Sequence, residues 1–344
     1  MLSVSQCVQI LQCPRSAQFA LDPNLVAWKR PQTTSQIMGT VLHEVFELID
    51  SGFFDKYSGD EATVSLKEKW LEVCESHRES LVKDSTFGLP PRPEKWPNYL
   101  RNRGRAMERM RNREKFKGSG RAGVTLQVEE PLFSDKLQIR GRADRIEHLP
   151  SGSRIIDHKS GALPHSGIPI RVKFQMLLYA ALYNEMHDQW PRSLQVQWRD
   201  GDVSEISIDF DEVKELLESI KDFQIKISLN EDAPAFPNVE VCSYCDFRAV
   251  CPEYLESQDR FDWPFQPNFL IGKVTQISLE QEGQVIQVDV YLSSFEDLKV
   301  ASLRVQTTSN LTAIGDVLRS DRILRQSSGN YLFDWQTRAA TESG

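Results

Sequence analysis

The chain has no run approaching the roughly 18 apolar residues of a membrane-crossing helix, and its start lacks a basic stretch leading into an apolar one. These absences predict a cytoplasmic protein with no membrane partner. Internal repeats and low-complexity tracts are also missing. Cysteine is sparse, at six in 344 residues, and three of the six crowd into Cys242–Cys251. That crowding suits metal ligation better than a disulfide framework in a large cytosolic protein. Positive charge is in deficit, with 41 Lys and Arg against 49 Asp and Glu for a net charge of −8. The balance argues against a general polyanion binder, but it describes the whole surface and hides local patches. What is present is ordinary globular material, 40% hydrophobic and 26% charged, at a length that suggests two domains.

One local patch is strong. Between Arg101 and Arg121 there are nine basic residues against two acids, Glu108 and Glu114. This is either a phosphate-contact surface or a solvated helix face. Helical periods are legible elsewhere. The opening, residues 3–19, carries Val4, Cys7 and Leu11 on one face and breaks at Cys13-Pro14, because proline cannot continue the helix ladder. Cys7 is thus a core residue, while Cys13 is freer to act as a ligand. After Gly39, the residues Leu42, Val45, Phe46 and Ile49 keep core spacing, and His43, Glu47 and Asp50 share another face. From Glu61 to Lys83 a third helix places Cys74 and His77 at core or boundary positions.

Alternating segments then predict a three-stranded meander. Its strands run over residues 124–130, 137–146 and 154–158, with Asp144 in the second and Asp157 in the third. Residues two apart on a strand point to one face, so Asp157 and Lys159 project together at the end of Ile155-Ile156-Asp157-His158-Lys159. Alone, that triplet is equally a surface ion pair. Neighbouring strands lie about 4.8 Å apart, so Asp144 and Asp157 can also meet at one cation. The helix over residues 171–187 is nearly all apolar and carries Gln175 and Tyr179 four apart. Such a buried polar pair costs stability unless bonded.

Gly39-x3-His43, Gly141-Arg142-Ala143-Asp144, Asp157-His158-Lys159 and Gln175-x3-Tyr179, in that order and followed by a distal cysteine cluster, resemble the RecB-like branch of the PD-(D/E)XK nucleases. The similarity is closest to iron-sulfur members such as the AddB nuclease domain and the CRISPR-associated RecB-like exonucleases, and it covers residues 1–262. The resemblance implies an α/β restriction-endonuclease-like core, with a mixed central sheet flanked by helices. It implies Asp144, Asp157, His43 and the backbone carbonyl of His158 as ligands of Mg2+ or Mn2+, with the histidine favouring Mn2+. Lys159 would position or deprotonate the attacking water and stabilise the charge that develops, and Gln175 and Tyr179 would orient the lysine or the nucleic-acid backbone. Glu129 or Glu130 would lie near the site.

Cys242-x2-Cys245-x5-Cys251 supplies three thiolates. By the resemblance the fourth is Cys13, from the Cys-Pro pair. Four thiolates suit a 4Fe-4S cluster and also a structural zinc. One distant ligand with a compact trio points to the cluster, which would tie the ends of the nuclease domain together. Beyond a linker at residues 263–268, residues 269–344 offer five candidate strands that suit a small OB-type β-barrel. Its aromatics Phe269, Tyr291, Phe295, Tyr331, Phe333 and Trp335, with Lys273, Arg304, Arg319, Arg322 and Arg325, either fill a core or stack on single strands.

The expectation is a metal-dependent deoxyribonuclease, an exonuclease on single-stranded DNA or DNA ends, serving repair, recombination or CRISPR-type processing. No helicase motif is present, so an unwinding or repair partner would be a separate protein. The alternative is a non-catalytic nucleic-acid-binding or scaffold protein with a metal-stabilised nuclease fold.

Overall fold

The computed structural model describes residues 1–29, 31–85, 87–117, 125–258, 269–280, 283–291, 299–307, 314, 316–321, 324–325, 331–334 and 336–342. The expected linker 263–268, Arg121, Phe295, Gly315, Arg322 and Trp335 lie outside the described residues, as do the side chains of Arg113, Lys115, Lys117, Glu129, Phe269, Tyr291, Arg304, Arg325 and Tyr331. Two compact units emerge. The first comprises Met1–Gln12, Thr34–Arg78 and Arg92–Asp232, and the second Cys13–Thr33, Glu79–Pro91 and Ala233–Gly344.

The first unit is built on a mixed sheet of β1 (Leu2–Ser3), β2 (Thr125–Ser134), β3 (Ile139–Leu149), β4 (Gly152–His158), β5 (Ser193–Gln197) and β6 (Val203–Ile206). β1 runs parallel to β3 and β4 parallel to β5, while β2–β3, β3–β4 and β5–β6 are antiparallel. Its helices are α1 (Val4–Gln12), α2 (Thr34–Ser51), α3 (Gly59–Asp84, of which the part up to Arg78 belongs to this unit), α4 (Tyr99–Lys117), α5 (Ile170–His187) and α6 (Phe210–Ser228).

Local chemistry sets several boundaries. Ser3 and Gln6 form a reciprocal capping box at the start of α1, with Ser3 N–H donating to Gln6 Oε1 at 2.8 Å and Gln6 N–H to Ser3 Oγ at 3.1 Å. Asp209 caps α6 by accepting from the amides of Asp211 and Glu212 at 3.0 and 3.2 Å. Gly152, at φ 115°, turns β3 into β4. Parallel β4 and β5 require a crossover, and α5 provides it.

α5 is apolar nearly all round because it packs on the sheet and on α6 at once. Met176, Leu177, Leu178 and Leu182 are buried against Ile139, Ala143, Ile146, Ile155, Leu194 and Val196. Ile155 shares its strand face with Asp157 and Lys159, so the face that buries Ile155 under α5 also turns Asp157 and Lys159 toward it. Cys7 and Cys74 are fully buried, and burial pushes each thiol up to about 12.

Gly141 on β3 is a close approach that only glycine permits. A Cβ there would stand 2.8 Å from both the Tyr179 ring and Val4 Cγ2. Gly141→Ala is therefore expected to destabilise the fold by about 1–3 kcal/mol and to displace Tyr179. Denaturant unfolding measures the first effect, and a change in the near-ultraviolet circular dichroism of the tyrosines reports the second.

In the second unit, β7 (Phe269–Glu280), β8 (Gly283–Tyr291), β9 (Lys299–Thr307), β10 (Val317–Asp321), β11 (Leu324–Arg325), β12 (Tyr331–Leu332) and β13 (Arg338–Glu342) form a sheet in the order β11-β12-β9-β8-β7-β10-β13. All pairs are antiparallel except β12 with β9. The pairing among the described residues does not show the expected barrel: it follows an open path, and no described pair joins β11 to β13. β11 and β12 have two residues each, which leaves little edge at that end for closure. Arg338 ties β13 to the rest of the unit, donating to the carbonyls of Lys29 and Asp84 at 3.1 Å each. Phe333 is buried edge-on against Phe87, with ring centroids 5.1 Å apart.

Candidate active site

β3 and β4 pair with Arg145 opposite Ile156, and the next residue on each strand is an aspartate. Asp144 Oδ2 accepts the His158 backbone N–H at 2.7 Å and lies 3.3 Å from His43 Nδ1, which α2 brings in. Asp157 is 2% exposed. Its Oδ2 lies 2.8 Å from Lys159 Nζ, a charge contact without the alignment of a hydrogen bond. Lys159 Nζ also donates to Gln175 Oε1 at 2.8 Å, and Gln175 Nε2 donates to the Tyr179 hydroxyl at 3.2 Å. Side chains from β3, β4, α2 and α5 thus converge on one point. Burial, and then the Asp157 carboxylate, push the Asp144 carboxyl up to about 6, with His43 and the His158 amide acting the other way. Two carboxylates forced together in this way form a site whose natural complement is a cation.

His158 contributes differently from its neighbours. Its imidazole is buried, meets the Phe46 ring edge-on at 5.7 Å and lies 3.4 Å from Arg109 Nη1. Burial, followed by the Arg109 charge, holds it well below the ordinary histidine range, so the side chain is a neutral wedge. Arg109 covers the Phe46 ring at 4.4 Å and donates to the Asp50 carboxylate through Nε and Nη2. This Phe46, Asp50, Arg109 and His158 layer behind the carboxylates was not found from sequence. Asp50 and Arg109 are 59 residues apart, and the only signal was the placement of Asp50 on the face of His43. Glu130 lies on β2 opposite Ala143, with no contact to the carboxylate pair among the described hydrogen bonds and ion pairs.

The cysteines occupy a separate place in the second unit. Cys13, Cys242, Cys245 and Cys251 all line one apolar cavity of about 20 Å³. Cys13 precedes the helix Pro14–Leu21 in an extended conformation, and the other three lie on or between the short helices Val239–Cys242 and Pro252–Gln258. Burial pushes Cys245 up to about 11 and Cys251 up to about 12. Arg248, fully buried, also lines the cavity and supplies positive charge beside the thiols. Among the described residues no group of three or more His, Cys, Asp or Glu side chains is pre-assembled at metal-holding distances. No helix among the described residues is long and apolar enough to cross a membrane.

A mixed sheet flanked by helices, with an aspartate and an Asp-x-Lys on adjacent central strands, defines the restriction-endonuclease-like class of α/β fold. The chain belongs to the PD-(D/E)XK nuclease superfamily, whose family profile matches residues 1–252. That membership makes nucleic acid its substrate class. Among curated proteins no significant match is found. Solved structures similar to the chain include SSO0001, at 15% identity and TM-score 0.30, covering 63% of this chain and 98% of that one. A candidate exonuclease from Eubacterium rectale aligns at 11% identity and TM-score 0.42, covering 76% and 93%. A murine DNA binding protein bound with double-stranded DNA aligns at 9% identity and TM-score 0.19, covering 64% and 95%. Likeness at that level adds no argument to the family profile.

Proposed function

We propose that the chain is a metal-dependent deoxyribonuclease of the RecB-like branch, acting as an exonuclease on single-stranded DNA or DNA ends. The observation that carries the reading is the convergence of Asp144, Asp157 and Lys159 on adjacent strands, with Lys159 Nζ held 2.8 Å from both Asp157 and Gln175. The donor set fits Mg2+ or Mn2+. It has the buried Asp157 carboxylate and the part-buried Asp144 carboxylate on adjacent strands, an Asp157 oxygen without an aligned hydrogen bond, and His43 beside Asp144. His43, Asp144, Asp157 and the His158 carbonyl would hold the ion. A divalent ion in that position supplies Lewis-acid activation of water and of the scissile phosphate.

The chain's own residues do the rest. Lys159 brings its ammonium to where negative charge grows on the phosphoryl oxygens, the kind of preorganised electrostatics that lowers barriers most. Gln175 fixes the lysine, and the Tyr179 hydroxyl fixes the Gln175 amide, so α5 sets the geometry of β4. Lys159→Ala is expected to lower DNA cleavage by about 10²–10³-fold with oligonucleotide affinity unchanged. A collapse of binding instead would make Lys159 a contact and remove it from catalysis. Gln175→Ala is expected to slow cleavage by about tenfold, because a lysine free to rotate forfeits its orientation. Single-turnover rates check this.

The four cysteines would hold a metal centre whose role is structural. The spacing of a compact trio with one distant ligand favours a 4Fe-4S cluster. Zinc is the second reading, because four thiolates lining one small apolar cavity also suit a single tetrahedral ion. Iron and zinc analysis of anaerobically purified protein separates them, and a colourless preparation with stoichiometric zinc rules out the cluster.

A further inference from the structure

The basic helix α4 carries a charge cluster that the chemistry above does not use. Arg101, Arg105 and Arg109 fall four apart on one helix face. Arg109 is taken up by Asp50, while Arg101 at 3.5 Å and Arg199 at 3.3 Å share the single carboxylate of Asp200. Among the described residues two carboxylates thus serve four guanidiniums, and Arg105 forms none of the described ion pairs, although the Asp200 charge acts favourably on it. Its Nη1 is buried without a hydrogen bond, and its guanidinium stands 5.9 Å from the Phe46 ring centre. Burial, then Arg199 and Arg109, lower its proton affinity from the ordinary arginine value.

A guanidinium with a buried, unbonded nitrogen and more like than opposite charge around it is a standing cost to the fold, and an arriving anion lowers it. The cluster adjoins the proposed site. Phe46, on which both Arg105 and Arg109 rest, meets His158 edge-on, and His158 follows Asp157 directly.

We propose that Arg105, with Arg199 beside it, binds a backbone phosphate of the nucleic-acid substrate, neighbouring the phosphate that is cleaved. This rests on the nuclease reading and deepens it by assigning a strand-tracking contact to α4. Arginine suits the role because its fork offers two donors to a phosphate. The contact requires no metal, which separates it from the chemistry.

The test is fluorescence anisotropy of a fluorescein-labelled single-stranded oligonucleotide in EDTA, titrated over a series of salt concentrations, for wild type, Arg105→Gln, Arg105→Lys and the control Lys136→Gln. Lys136 is an exposed residue of the same unit, paired with Glu185. Arg105→Gln is expected to bind about tenfold more weakly, the worth of one charge-assisted contact. The slope of log affinity on log salt should shrink by about 0.7, the value for one phosphate on a single strand. Its melting temperature should hold or rise, because the unpaired charge is gone. Arg105→Lys should recover most of the slope, and Lys136→Gln should change neither quantity.

Equal binding by wild type and Arg105→Gln would overturn the phosphate site and leave the nuclease reading standing. A fall in melting temperature shared by Arg105→Gln and Arg105→Lys would make Arg105 structural and overturn it as well. Wild type that fails to bind in EDTA yet degrades DNA with Mn2+ overturns the phosphate site alone. Failure of both binding and degradation overturns both readings.

Discussion

Asp157→Asn is expected to lower DNA cleavage by about 10³-fold or more, with secondary structure and cooperative unfolding retained. The substitution keeps volume and shape, so the buried position on β4 has no reason to collapse. What it removes is a full negative charge from a pair of carboxylates whose combined charge suits a divalent ion. It also removes the partner of Lys159, 2.8 Å away. Both losses fall on charge stabilisation in the transition state, where removing even one preorganised donor elsewhere costs about 10²–10³-fold. Asp144→Asn should behave alike, with one difference. Asp144 accepts the His158 amide and faces His43, so its loss also frees the β3–β4 seam. The two variants are compared by single-turnover rates in Mn2+ and by circular dichroism. A variant that keeps wild-type rate would remove the aspartate from the metal site.

The second large effect is expected at the cysteines. On the proposed metal-centre reading, Cys13→Ser should release the metal and bring down the second unit, whose small core of Trp28, Phe247, Ala249 and Tyr254 surrounds the Cys242 side of the cavity. Serine oxygen is a poor ligand for the soft metals that four thiolates select. Structural metal contributes apparent energies of about 10–16 kcal/mol in small four-ligand sites, comparable to the whole stability of about 5–15 kcal/mol of a typical domain. Metal content and thermal unfolding should therefore fall together. Cys74→Ala is the control, since Cys74 is buried in the first unit and does not line the cavity that the four thiols share. Metal content undiminished by Cys13→Ser would exclude that residue as the fourth ligand.

The elements that local pattern controls were legible in the sequence. Strand alternation placed Asp144 and Asp157 on neighbouring strands, two-residue parity put Lys159 on the face of Asp157, and i, i+4 spacing joined Gln175 to Tyr179, because each depends only on backbone period. Proline chemistry located the break at Cys13-Pro14, and the structure starts a new helix with Pro14 in its first turn. What depends on the third dimension was not legible. Two residues of β1 pair parallel to β3, too short a strand to carry a pattern. Arg109 could be read only as one cation in a basic run, although among the described residues it alone of that run meets both Asp50 and His158. Barrel closure in the second unit likewise depends on long-range strand pairing, which alternation does not encode, and the described sheet is open.

The central claim is that Asp144, Asp157 and Lys159 form a metal-dependent phosphodiesterase site. Its most direct test is the digestion of end-labelled single-stranded and double-stranded DNA with Mn2+, with wild type and Asp157→Asn side by side. Wild type should shorten the single strand progressively from an end and lose that activity in EDTA, and Asp157→Asn should leave the substrate intact. Degradation that proceeds equally well in Asp157→Asn, or wild type inert with both Mn2+ and Mg2+ on every substrate, would contradict it.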